Sequence, residues 1–446
     1  MYPPSSDQLI LARAVSRAKW RVVPFLILMY MLAYLDRVNI GFAKQAYQAA
    51  TGVSELAFAF GAGIFFLTYA LFEIPSNLLM HKFGARRWMS RIMVTWGLVA
   101  AAMMFATNDR SFSFIRSLLG AAEAGFFPGC ILYLTYWFPA RERAQIMAIF
   151  YFGSPLALMF GGPISGLLLD LNGLFGLQGW QWLFLSQGLT SCAVGIGAYF
   201  YLCDRPGNAS WMPAEERQAL QQLLDAEERQ KRVAGEVTFL SALRDWRLIH
   251  FAAIYFLIQI TGLGVAFYLP TQVAALLGVK VGLLVGCVSA IPWACAIVAG
   301  WFYPGIAART GLRRTFGAIS LLGIGFGLVV SGHASPLISI IALCFVTMGI
   351  MTAQPIFWTF PTSYLGGTAA AGGFALINSV GAIGGFVAPN LRSGAETFFH
   401  SPVAGIYAIA AAAFLAILLF VLVPGLTPAR THRLAVDEPE SAPSLQ

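Results

Sequence analysis

Apolar residues along this chain gather into long uninterrupted runs rather than into the alternating or one-in-four patterns of soluble strands and helices. Twelve runs can be marked, near 20–43, 56–79, 88–107, 111–138, 144–170, 180–203, 247–277, 281–305, 315–332, 336–361, 368–391 and 402–423. About 20 apolar residues rising 1.5 Å each cross the ~30 Å of bilayer hydrocarbon, so each run predicts a membrane-spanning helix. Polar positions form short loops between the runs, with one exception. Residues 204–246 are rich in Glu, Gln, Asp and Arg and separate six runs from six. The predicted organisation is an all-α membrane protein of twelve transmembrane helices: an N-terminal six-helix half (1–203), a cytoplasmic linker (204–246), a C-terminal six-helix half (247–423) and a cytoplasmic tail (424–446). Inside the linker, Pro213 precedes an acidic first turn, and Leu220, Leu223 and Leu224 follow on one face. This pattern starts a helix and reads as an interfacial linker, with a regulatory surface as the second reading.

Composition removes a soluble alternative. Hydrophobic residues make up 58% of the chain and charged residues 11%, against about 25% charged in soluble domains. With both termini placed in the cytoplasm, Lys44, Arg110, Lys280 and Arg392 fall outside, Arg37 and Arg116 lie within spans, and the other 22 of the 28 Lys and Arg are cytoplasmic. That partition satisfies the positive-inside rule. The net charge of +8 is therefore a topology signal, and nucleic acid is not an expected partner. The first apolar run is too long for a cleavable signal peptide and lacks a small-residue cleavage site. All six cysteines fall within runs without C-x-x-C spacing, the five histidines are scattered, and no G-x-x-x-x-G-K-[ST] loop is present. The cysteines read as packing residues, and neither a metal site, a cofactor, an enzyme active site nor a self-contained ATP-driven pump is expected. A weak repeat supports two halves. Phe83-Gly84-Ala85-Arg86-Arg87 after the second run resembles Thr310-Gly311-Leu312-Arg313-Arg314 after the eighth, as in a duplicated six-helix unit.

Charges inside the runs carry the chemistry. Asp36 and Arg37 sit side by side in the first run, where each ion costs at least about 2.5–3.5 kcal/mol on insertion scales, so the pair marks a polar cavity rather than a lipid-facing surface. Tyr30, Tyr34 and Arg37 follow i, i+4, i+7 and form one stripe, while Asp36 points about 100° away. Arg37 is the expected anion ligand. Arg116 and Glu123 share a helix face about 10.5 Å apart along the axis. Asp36 and Arg116, both in the outer half, are read as an ion pair that knits helices, alone or together with coupling. Glu73 lies near the cytoplasmic end of the second run beside Pro75 and Asn77 and is assigned to gating or packing. The C-terminal half offers amides, hydroxyls and aromatics instead: Gln259, Gln354, Trp358, Asn378 and Ser379. Each can orient a substrate or act as interhelical glue. Gly161, Gly162, Gly166, Gly381, Gly384 and Gly385 permit close helix contact first and bending second.

Several strings resemble one family. Tyr-Leu-Asp-Arg-Val-Asn-Ile-Gly-Phe-Ala at 34–43, Phe-Glu-Ile-Pro-Ser-Asn at 72–77, Gly-Ala-Ala-Glu-Ala-Gly-Phe-Phe-Pro-Gly at 120–129 and Tyr-Trp-Phe-Pro-Ala-Arg-Glu-Arg-Ala at 136–144 are similar to the anion:cation symporter family of the major facilitator superfamily. Gly-Trp-Gln-Trp-Leu-Phe at 179–184 and Ala-Leu-Ile-Asn-Ser-Val-Gly at 375–381 extend the resemblance over both halves. It implies the major facilitator fold and proton-driven import of a sugar acid, tartrate-like dicarboxylate or aromatic carboxylate across a bacterial inner membrane, by a monomer. It further implies proton coupling at Glu123 with Asp36, and substrate contacts at Arg37, Tyr34, Tyr69, Gln259, Trp358, Asn378 and Ser379. Burial disfavours a charged carboxyl and a neighbouring guanidinium favours it, so Glu123 can change protonation when an anion competes for the arginine. The loop motif departs from the superfamily pattern, with His81 where an Asp is usual and Ala308 in the second copy. Uniport or export of organic anions without protons is the alternative. A non-transporting membrane sensor is the remote one, disfavoured by the lack of a sizeable soluble output segment.

Overall fold

The structure is a computed structural model that describes residues 6–232, 245–364 and 369–423; the tail assigned to 424–446 and residues 233–244 of the linker lie outside the described residues. Among the described residues, twelve long helical elements cross from one end of the molecule to the other. Six precede the linker: Ser6–Thr51, Glu55–Phe83, Ala85–Ala102, Asp109–Glu123 continued by Phe126–Trp137, Ala140–Tyr151 continued by Gly153–Asp170, and Gly179–Tyr201. Six follow it: Trp246–Leu277, Leu283–Thr310, Arg313–Ser331, Pro336–Tyr364, Ala369–Phe398 and Pro402–Val421. Eleven of the twelve are long and apolar enough to cross a membrane by length and composition. The other, Ala369–Phe398, is long enough at 30 residues but carries Asn378, Asn390, Arg392 and Glu396 along with its alanines and glycines. These elements are called the first to twelfth spans below. The fold is an all-α membrane protein of two six-helix halves.

The fourth span breaks directly after Glu123. Gly125 has φ 83, and a Cβ there would meet the Ser76 Oγ at 2.4 Å, so both its backbone and its space call for glycine. Between the third and sixth spans a Cβ on Gly97 would lie 2.6 Å from the Gly188 carbonyl oxygen, which is the small-residue contact that lets membrane helices approach closely.

A further helix, Ala214–Arg232, lies against the N-terminal half. Leu220 and Leu224 are buried and Leu223 is half-buried. Arg17 bonds Glu216 at 2.8 Å, and Glu227 takes Arg143 at 2.7 Å while accepting the Ala140 backbone N–H at 3.0 Å. Glu227 thus satisfies a free N–H at the start of the fifth span, where a carboxylate also suits the helix dipole. A second acid holds the loop after the second span. Asp204, just past the sixth span, accepts the Arg86 backbone N–H at 2.8 Å, and the Arg86 guanidinium donates to the Tyr199 carbonyl. The loop arginine therefore ties the third span to the end of the sixth inside one half.

The halves meet most closely at the end away from the first span's N-terminus, called the far end here. In the fifth and eighth spans, a Cβ on Gly286 would lie 2.2 Å from the Gly162 oxygen, and one on Gly166 would lie 2.4 Å from the Gly282 oxygen. Asp170 accepts the Leu283 N–H at 3.0 Å beside them. Gly41 of the first span meets the Phe267 carbonyl of the seventh, and Gly63 and Phe66 of the second meet Phe386 and Gly385 of the eleventh. On the terminal side of these contacts the halves leave a cavity between them that reaches past Tyr69 to Glu73.

Backbone contact of this kind has no slack. Gly286→Val should overpack the fifth–eighth seam by about 1–3 kcal/mol and shift the protein toward a state opened at the far end. In a cysteine-free background, Ser289→Cys, buried in the structure, should then be labelled faster by an impermeant thiol reagent applied from that side. Equal labelling with and without Gly286→Val would show that the helices absorb the added volume.

Candidate functional site

The central cavity has a volume of about 170 Å³ and is walled by both halves. The N-terminal half gives it Tyr30, Tyr34, Arg37, Tyr69, Glu73 and Tyr151; the C-terminal half gives Tyr255, Gln259, Gln354, Trp358 and Asn378. Tyr30, Tyr34 and Arg37 all line it, as a stripe at helical spacing requires. Arg37 lies among aromatic rings, its guanidinium carbon 5.2 Å from the Tyr69 centroid, 5.3 Å from Phe65 and 6.0 Å from Tyr34. Such faces hold a cation without neutralising it.

Neutralisation comes from behind. Arg37 Nη2 donates to Glu123 Oε1, joining the first span to the last residue of the fourth span's helical segment before its break. Glu123 is fully buried and is not on the cavity wall, whereas 14% of the Arg37 side chain remains accessible. The other Glu123 oxygen has no hydrogen-bond partner among the described residues. The guanidinium is thus a plate with one edge on a hidden carboxylate, its Nε buried without a partner among the described residues, and its accessible part on the cavity wall where a planar anion can meet the terminal N–H donors.

Asp36 faces the opposite way. It accepts from Trp96 Nε1 at 3.0 Å and Ser191 Oγ at 2.6 Å, so it ties the first span to the third and sixth. One turn along, Asn39 donates to Gln187 at 2.8 Å, and Gln187 donates to Ser165 at 3.2 Å. This polar seam fixes the rotation of the first span, and that rotation aims Arg37 at the cavity.

The expected ion pair of Asp36 with Arg116 is absent among the described residues. Arg116 is wholly buried, donates from Nε to the Gly61 carbonyl at 3.3 Å and lies 5.0 Å from the Phe65 ring. Equal depth put the two charges at one level, but helix rotation turned them to different neighbours. Ser379 is likewise off the cavity: it is exposed, about 100° round the eleventh span from Asn378. Glu73, expected at a gate, is half-buried on the cavity wall.

Two features escaped the sequence. The Arg37–Glu123 pair joins residues 86 apart, and no local pattern announces it. Tyr255 receives a hydrogen bond from Gln354 Nε2 at 3.1 Å and meets Trp358 edge-on at 5.0 Å. Its i, i+4 spacing to Gln259 was the signal available.

Residues 26–389 match the model of the Major Facilitator Superfamily. The chain belongs to this superfamily. It is 46% identical to the inner membrane transport protein RhmT of Escherichia coli K12, over 95% of this chain and 98% of that protein. A putative tartrate transporter of Agrobacterium vitis is 40% identical over 94% of this chain and 92% of that protein. Among solved structures, the xylose transporter XylE from E. coli superposes with a TM-score of 0.72 at 12% identity, over 92% of this chain and 98% of that one, a likeness of fold alone. The protein is a multi-pass membrane protein of a transporter superfamily, and its relatives are named as transporters rather than enzymes.

Because the pair is buried, Arg37→Ala leaves Glu123 uncompensated, and stability should fall by about 3–5 kcal/mol. Thermal unfolding in detergent should show a lowered Tm for Arg37→Ala that is partly restored in Arg37→Ala/Glu123→Gln. Independent, additive losses would mean that the two side chains do not neutralise each other.

Proposed function

We propose that the protein imports an organic carboxylate anion with one or more protons, by alternating access across a bacterial cytoplasmic membrane. The observation that carries this reading is Arg37, a guanidinium presented to a cavity whose counter-ion, Glu123, is buried behind it. Relatives named as a putative tartrate transporter and an inner membrane transport protein agree with that chemistry and location. The basic-residue partition supports cytoplasmic termini, so the cavity faces the cytoplasm and the far end is periplasmic. The rocking units are 1–203 and 247–423, joined by 204–246, and the protein acts as a monomer.

Substrate competes with Glu123 for Arg37. If Glu123 stays ionised when a carboxylate takes the guanidinium, two anions share one cation in a low-dielectric site. Protonation of Glu123 removes that conflict, so anion and proton bind together more readily than either alone. Release into the cytoplasm returns Arg37 to Glu123 as the proton leaves. Asp36, held by Trp96 and Ser191, orients Arg37 and is the second candidate for protonation. Tyr34 and Tyr69 wall the carboxylate, Gln259, Trp358 and Asn378 face the rest of the substrate, and Glu73 stands toward the cytoplasmic mouth as a gate.

Glu123→Gln mimics the protonated acid, so in liposomes it should still bind and exchange substrate in counterflow yet lose uptake driven by a pH gradient. Retained pH-driven accumulation would move coupling to Asp36 or favour uniport. Arg37→Lys keeps the charge but loses the planar fork, and binding should weaken sharply.

Recognition of the non-carboxylate part is a separate question. Gln259→Ala and Asn378→Ala should reorder preference among tartrate, gluconate and benzoate while leaving coupling intact, as read from competition against labelled uptake. A uniform loss for all three would make these amides interhelical glue.

A further inference from the structure

A second cavity, about 280 Å³, lies at the far end among the first, seventh, ninth, eleventh and twelfth spans. Two cations enter it from opposite halves: Lys44 and Arg392, whose side chains are only 8% and 9% exposed. Both lie on one ring, with the Lys44 ammonium 4.5 Å and the Arg392 guanidinium carbon 4.1 Å from the Tyr268 centroid. Each keeps one carboxylate of its own half, Glu55 at 2.6 Å and Glu396 at 2.8 Å. Those acids are more exposed, at 34% and 19%, and so are better screened by water than the cations they serve. The Tyr268 hydroxyl and the Thr271 Oγ1, both on this wall, are buried without a hydrogen-bond partner among the described residues. Two cations and two idle hydroxyls therefore face a space that no described side chain fills.

Lys44 is also placed in register with the central site. It follows Arg37 by seven residues, two turns or about 10.5 Å further along the same face of the first span. Between them Gly41 rests on the Phe267 carbonyl next to Tyr268. Opening the far end must separate these residues, taking Tyr268 off Lys44 and leaving the ammonium on the line that leads to Arg37.

We propose that Lys44 and Arg392 form an outer capture site for carboxylate anions, covered in this state by the Tyr268 ring that lies against both. The inference rests on the import reading given above. A carboxylate approaching from the periplasm meets these two cations before it reaches Arg37, and its binding competes with the ring that holds the halves together. Capture and opening are therefore linked, since the anion prefers the state in which Tyr268 has moved away.

The test compares the two faces of the membrane, using radiolabelled tartrate, gluconate and benzoate as probes and taking forward those that cells bearing the unaltered protein accumulate. Lys44→Gln and, independently, Arg392→Gln should raise KM for uptake into cells on the order of tenfold, the lower end of electrostatic focusing. KM measured from the cytoplasmic face in inside-out vesicles should stay unchanged, and Lys44→Arg should keep the unaltered KM on both faces. Added salt should slow uptake by the unaltered protein more than by Lys44→Gln. An unchanged uptake KM, or equal rises on both faces, would overturn the capture site while leaving import standing. If none of the three probes is accumulated by the unaltered protein, the import reading falls and the capture site with it.

Discussion

A charge placed in hydrocarbon has to be matched, and the pairing of Arg37 with Glu123 is the match on which the central site depends. Neither partner can turn to bulk water from the far side of the pair, because Glu123 is fully enclosed. The surrounding architecture keeps the two together. Asp36 anchors the first span to Trp96 and Ser191, Asn39 anchors it through Gln187 to Ser165, and these bonds leave Arg37 only one direction to point. On the other side, the chain breaks at Gly125 directly after Glu123 and turns close against Ser76. The polar groups of the N-terminal half are thus less a collection of ligands than a frame that presents one guanidinium to the cavity.

Closure at the far end is made of different material. Gly162 against Gly286, Gly166 against Gly282 and Gly41 against Phe267 bring backbone to backbone across the halves. Contacts without side chains between them cannot stretch gradually, since dispersion attraction is lost over a fraction of an ångström. They favour two discrete states, seated or apart, as the proposed alternating access requires. Glycine in these spans matters because it permits approach.

Much of the fold was legible because apolar length is a one-dimensional property. Twelve runs and one long polar interruption can be read without knowledge of neighbours, and the helices extend beyond the runs mainly where polar ends continue, as in Ser6–Thr51. The cavity stripe Tyr30, Tyr34 and Arg37 was legible for the same reason, since it is periodic along one helix. Pairings between spans were not. Asp36 and Arg116 were matched by depth, yet partner choice also depends on how each helix is rotated, and that is set by packing elsewhere in the bundle. Ser379 failed in a milder way, since its neighbour Asn378 reaches the cavity and one residue of rotation puts the serine outside. The bond from the Arg86 N–H to Asp204 likewise spans 118 residues and is visible only in three dimensions.

The distribution of the ion pairs suits the rocking motion proposed above. Arg37 with Glu123, and Lys44 with Glu55, lie within the N-terminal half, while Arg392 with Glu396 lies within the C-terminal half. A buried pair split across the halves would be pulled apart in every cycle, leaving two uncompensated charges in a low-dielectric medium, a cost of several kcal/mol for each ion. Kept within one half, a pair survives rocking untouched, and only an arriving anion can compete for it. The contacts that do cross are ones a carrier can afford to lose: glycine on backbone, phenylalanine on phenylalanine, the Asp170 carboxylate on a single N–H, and Tyr268 against Lys44. When Tyr268 leaves, Lys44 still has Glu55 and Arg392 still has Glu396. On the proposed mechanism, the buried ion pairs within each half constrain which ligand is accepted, and the contacts between the halves constrain when they part.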